Sequence, residues 1–71
     1  MWCVPMYESE RGWGSKVDGY CGPFDTAQEA AEWSVRYNKK YNDADEVPDY
    51  YISALDPVRF NGQKCEYRKD L

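Results

Sequence analysis

The stretch GPFDTAQEAAEWSVRYNKKY, residues 22–41, decides the fold. Gly22-Pro23-Phe24 stops whatever strand precedes it. Thr26 followed by Glu29 has the spacing of a capping box, with Asp25 and Gln28 as the alternative one residue earlier. From Ala27 to Tyr41, positions 27, 30, 31, 34, 37, 38 and 41 fall on one face of a 3.6-residue period. They read Ala, Ala, Ala, Ser, Tyr, Asn and Tyr, with Trp33 and Val35 flanking the stripe. Small residues come first and rings last, so the helix should approach a sheet closely at its start and diverge at its end. Glu29, Glu32, Arg36 and Lys39 take the opposite side, with Glu32 and Arg36 in the favourable i,i+4 order. Acids precede Lys39 and Lys40, as the helix dipole prefers. One helix is predicted over 27–41.

Outward from the helix the pattern turns to strands. WCVPMYE at 2–8 and KVDGYC at 16–21 flank the glycine-bearing SERGWGS at 9–15, which reads as a hairpin. Pro5 lacks an N–H, so the first arm is expected at a sheet edge. A turn centred near Gly12 puts Cys3 roughly opposite Cys21, as two small buried thiols or, geometrically, a cystine. After the helix, NDADEVPD at 42–49 is an acidic connection, and DYYISAL at 49–55 is a strand. Its Tyr50, Ile52 and Ala54 face one way, and Tyr51, Ser53 and Leu55 the other. Asp56-Pro57 interrupts, VRF at 58–60 resumes, and Asn61-Gly62 predicts a type I′ hairpin with Phe60 facing Gln63 and Val58 facing Cys65. The charged end, from about residue 66, is expected to fray. The expectation is one α+β domain spanning 1–71, a β-β-α-β arrangement with an optional further strand. Its helix packs on a small antiparallel or mixed sheet.

Composition narrows the function classes. Leu, Ile, Val and Phe supply only 10 of the 71 residues, a proportion that ordinarily signals disorder. Seven Tyr, three Trp and two Phe outweigh that signal, because each ring buries roughly 150–250 Å². The core should be built of rings, with more of them than so small an interior can hide. Thirteen acids against nine Lys and Arg give a net charge of -4. Apolar runs are too short to span a membrane, and no basic-then-apolar leader pattern is present, so a cytoplasmic location with reduced cysteines is expected.

The chemistry of sites offers little. The chain has no histidine, hence no usual general base near neutral pH and no imidazole metal ligand. Phosphate loops, nucleophile elbows and HExxH motifs are absent. Asp43, Asp45, Glu46 and Asp49 crowd into seven residues but lack the spacing of a calcium loop, so they read as a solvated segment. Cys3, Cys21 and Cys65 lack the close pairs of a zinc site, and Lys64 beside Cys65 is weak support for a reactive thiol. No cofactor, metal or catalytic residue is expected.

Recognition is the better prospect. Trp13 lies between Gly12 and Gly14, bordered by Arg11 and Lys16, where no strand or helix readily covers it. Trp, Tyr and Arg carry a disproportionate share of interface energy. Tyr7 and Tyr20 extend such a patch on the sheet, and Tyr51 joins it if the helix covers the Tyr50/Ile52 side; the alternative is that these rings form the opposite half of the core. Glu8, Glu10, Asp45 and Glu46 supply a negative field for steering a basic partner, and the same field opposes direct nucleic-acid binding. GPFDTAQEAAEW at 22–33 resembles the strand-to-helix junction of small bacterial and phage accessory proteins; that resemblance describes a capped helix and brings no activity with it. The expected function is a small acidic protein-binding module, of the kind a phage or mobile element uses to inhibit or modulate a larger host protein. The alternatives are a homodimeric assembly protein, an acidic nucleic-acid mimic filling a basic groove, and, last, a carboxylate- or cysteine-dependent enzyme.

Overall fold

A computed structural model describes all 71 residues. The element order is β1 (Trp2–Glu10), β2 (Gly14–Phe24), α1 (Ala27–Tyr41), β3 (Tyr50–Ala54) and β4 (Val58–Arg59). One helix packs on a small antiparallel sheet of four strands, the predicted α+β arrangement. The helix has the bounds its sequence pattern gives. Thr26 is extended, and its hydroxyl accepts from the Glu29 N–H at 3.1 Å, the N-cap half of the capping box.

The sheet is organised around β1. β2 pairs with it on one side, while β3 and then β4 share the other. Pro5 therefore stands in the central strand, not at an edge. The reason lies in the missing donor. Pro5 C=O accepts from Leu55 N–H at 3.0 Å, so its nitrogen also faces that side. Leu55 marks the joint between β3 and β4, where no ladder acceptor waits for a Pro5 N–H. The hairpin arms are longer than the sequence suggests, leaving only Arg11–Trp13 as the turn. Val4, not Cys3, is the partner of Cys21, because a bulge intervenes between Trp2 and Val4. All three cysteines are free.

The core is Val4, Met6, Cys21, Phe24, Ala30, Trp33 and Ala54, with Trp2, Tyr37, Ile52 and Tyr67 packed against it. Trp33 is only 1% exposed and sits at the centre of the buried helix face, rather than on its flank. Its ring joins a column along the helix: Phe24 at 6.2 Å, Tyr37 at 5.3 Å, and Tyr41 a further 4.7 Å from Tyr37. Rings are two of the seven core residues and three of the four packed against them, so the interior is less aromatic than the composition suggests.

The two ends after β3 differ most from expectation. Asn61-Gly62 does not form a type I′ hairpin, since only Gly62 has positive φ. The Gln63 side chain does the bonding instead, accepting from Asn61 N–H and donating to the Arg59 carbonyl. The last residues, charged and expected to fray, lie along β2. Tyr67 N–H donates to Tyr20 C=O at 3.0 Å, and Trp33 Nε1 donates to Lys69 C=O at 2.8 Å. Lys69 Nζ reaches Pro23 C=O at 2.9 Å, and the Tyr67 ring covers Gly19.

Candidate recognition surface

The helix side of the sheet is fixed by the core: Val4, Met6, Ala54 and Ile52 point toward α1. By alternation, Tyr7, Ser9, Tyr51 and Ser53 point away. Val17 and Tyr20 join them, opposite Tyr7 and Pro5, with the Asp18 bulge restoring the parity between them. Tyr7, Tyr20 and Tyr51 are thus half-buried rings on a sheet face that no helix covers. Ser15 Oγ, donating to the Tyr7 hydroxyl at 3.1 Å, ties the hairpin to this face.

Trp13 stands apart at the hairpin tip. Gly12 and Gly14 have φ of +83° and +91°, a conformation glycine adopts without strain. They hold the indole out, 84% exposed, with no aromatic or cationic neighbour. Glu8 and Glu10 lie on the helix side, in the half of the hairpin beyond the core. With Trp13 and Lys16 they line a shallow depression of about 170 Å³.

The acidic loop closes back on this end of the molecule. Arg11 N–H donates to Asp49 C=O at 2.7 Å, and the two side chains pair at 3.3 Å, fully in solvent. A cleft of about 400 Å³ results, lined by Ser9, Glu10, Ser15, Pro48 and Tyr51 among others. Glu46 and Tyr51 share a further hollow of about 140 Å³. The structure therefore joins Glu8, Glu10 and Trp13 in one group and Glu46 and Tyr51 in another. Glu10 borders both. Tyr20 lies farther along β2, and Asp45 is exposed without lining any of these hollows. Arg11 and Asp49, which set the loop on the hairpin, are separated by 38 residues, and no local pattern announces the pair.

Electrostatics matches this partition. Neither Glu8 nor Glu10 has an ion pair, since the salt bridges are Arg11–Asp49 and Arg68–Asp70. Burial, then the bond to the Asp18 carboxylate at 2.7 Å, pushes the Tyr67 phenol up. Burial also raises Cys3 and Cys65 and pushes Cys21 up to about 12. Lys69, not Lys64, is the cation that opposes the shift at Cys65. The thiols are thereby held protonated at neutral pH, the wrong form for nucleophilic attack. No three Cys, Asp or Glu side chains converge where a metal ion could be held. No helix is long and apolar enough to cross a membrane. No family model, curated protein or solved structure matches the chain.

Proposed function

We propose that the chain is a small acidic protein-binding module whose hairpin end recognises a larger, basic protein. One observation carries the reading: Trp13 is held in solvent between two positive-φ glycines, supporting nothing inside the molecule. A large amphipathic ring so placed gains far more from a partner than from the fold. Glu8 and Glu10, unpaired beside it, supply the complementary charge, and Asp45 and Glu46 extend the negative field. A partner that itself binds nucleic acid offers a basic groove of the right sign, so inhibition by occupying that groove belongs to the same proposal, as does a setting in the cytoplasm.

The homodimer alternative loses one of its natural surfaces. The outer edge of β3 is bonded by helix side chains: Asn38 to both N–H and C=O of Ala54, each at 2.9 Å, and Asn42 to the Ile52 carbonyl at 2.9 Å. An edge so occupied has little left to offer a second strand. The test of the proposal is affinity capture at low and high salt with the wild-type chain and the Glu8→Gln, Glu10→Gln double variant. The reading expects capture that falls with salt and weakens about tenfold in the double variant. Salt-insensitive capture, equal for both, would contradict it.

A further inference from the structure

The sheet has one stretch of edge that nothing inside the chain covers. Ala54 bonds outward to Asn38, so in the β1–β3 ladder the odd-numbered residues of β1 bond toward β3. The even-numbered ones, Glu8 and Glu10 included, therefore bond toward β2, opposite Lys16 and Gly14. Ser15 and Val17 consequently turn their N–H and C=O away from β1, toward solvent. Tyr20, which faces the same way, is already taken by Tyr67. No side chain bonds the Ser15 or Val17 backbone, in contrast to the plugged edge of β3.

We infer that this edge, Gly14–Val17, accepts an extended segment of the partner as an added strand, with a long basic side chain over Gly14 that meets Glu10. The inference rests on the proposed reading and adds the mode of binding. Main-chain bonds to a free edge supply affinity in such complexes, and alternate side chains supply selectivity. Gly14 lies directly beside Glu10 on the helix side of the sheet, and an added Cβ there would meet nothing within 4 Å. Adjacent strands are about 4.8 Å apart, so an arginine on the new strand spans Gly14 and meets the Glu10 carboxylate, with Trp13 alongside. On the open face, an apolar residue lands beside Val17, which is 44% exposed.

A second copy fits the same edge poorly. The regular stretch, paired with itself about Lys16, sets Lys16 against Lys16. Paired about Ser15 instead, Val17 falls opposite Trp13 in the turn, so only one bonded pair forms, and paired about Val17 the copy meets the bulge at Asp18.

The probe is the acetylated, amidated peptide Val-Thr-Val-Arg-Val-Thr-Val, which places the same residues opposite Gly14–Val17 in either direction. Its binding is followed by amide exchange and chemical shifts of the labelled full chain. The expected result is exchange at Ser15 and Val17 slowed at least tenfold at saturation. Val17→Pro should weaken binding at least tenfold, because it removes the outward donor without removing a ladder bond. Should Val17→Pro disturb the spectrum of the fold, Glu10→Gln decides. It should weaken the arginine peptide several-fold and leave a citrulline counterpart unchanged. No binding at millimolar peptide, or binding without protection of Ser15 and Val17, overturns the inference. So does concentration-dependent protection of those amides without peptide, which assigns the edge to a second copy. If partner capture still depends on Trp13 in any of these cases, the binding-module reading survives and only the added strand fails.

Discussion

Replacing Asn38 by Ala isolates the device that seals β3. Asn38 donates to the Ala54 carbonyl at 2.9 Å, accepts from the Ala54 N–H at 2.9 Å, and accepts from Asn42 Nδ2 at 3.1 Å. A net contribution of about 1 kcal/mol for each bond gives about 3 kcal/mol at stake. Ala is the better helix former by about 0.6 kcal/mol, which offsets part of the loss. The expected destabilisation is therefore about 2–2.5 kcal/mol, against a total of roughly 4–10 kcal/mol for a chain of this length. In a domain of this size that lowers Tm by about 8–20 °C. Urea and thermal unfolding followed by tryptophan fluorescence measure it directly. Ala54 is 6% exposed, so its backbone has limited access to replacement water. The variant should also self-associate at concentrations where the wild type does not, because an unpaired edge is reopened. A loss under about 0.5 kcal/mol, with no change in association, would show that water substitutes freely and that Asn38 does not seal the edge.

Three other consequences follow from the packing. Gly22→Ala puts a Cβ 3.1 Å from both Cys3 Cβ and the Trp2 carbonyl oxygen at a φ of +151°, and should cost about 2–3 kcal/mol in urea unfolding; a cost near zero would mean that β1 and β2 shift apart freely there. Alkylation by iodoacetamide at pH 8, read by mass spectrometry, should modify Cys65 well before Cys3 and Cys21, because Cys65 is the half-buried one and burial pushes the Cys21 thiol up to about 12. Simultaneous labelling of all three would indicate a loosened core. Tyr67 has a raised folded pKa, so the native state holds its proton where the unfolded chain releases it. Its contribution is complete below about pH 10 and is lost as pH rises through the folded value. Tyr67→Phe should therefore flatten the decline of stability above pH 10, and an unchanged slope would remove Tyr67 from the alkaline transition.

The sequence carried the helix to the residue, because capping by Thr26 and the small-residue stripe are local signals. The alternation of β3 was likewise legible from Tyr50, Ile52 and Ala54, but the choice of which face meets the helix was not, because both faces carry rings. Pro5 misled because its effect depends on where the opposite strands break, a fact set by Leu55 fifty residues away in the chain. Asn61-Gly62 misled because Gln63 offered the backbone a nearer partner than any strand. The docked end was invisible for a related reason. Tyr67, Lys69 and Trp33 make scattered bonds across long separations, and a charged hexapeptide shows no period that would reveal them. At the recognition surface, exposure of Trp13 could be read from its two glycines. The partition of Glu8 and Glu10 from Tyr20 and Tyr51 required the register of β1 against β2 and β3, including the bulge at Asp18.

Trp13 tests the central claim most directly, through one variant measured in two ways. Trp13→Ala should change unfolding free energy by less than about 0.5 kcal/mol, as for a surface residue without internal partners. The same variant should lose most of the captured partner, with affinity lower by at least about 2 kcal/mol, the scale of an aromatic hot spot. If instead the variant unfolds at markedly lower urea while captured partner is unchanged, Trp13 belongs to the fold and the hairpin tip is not the recognition surface.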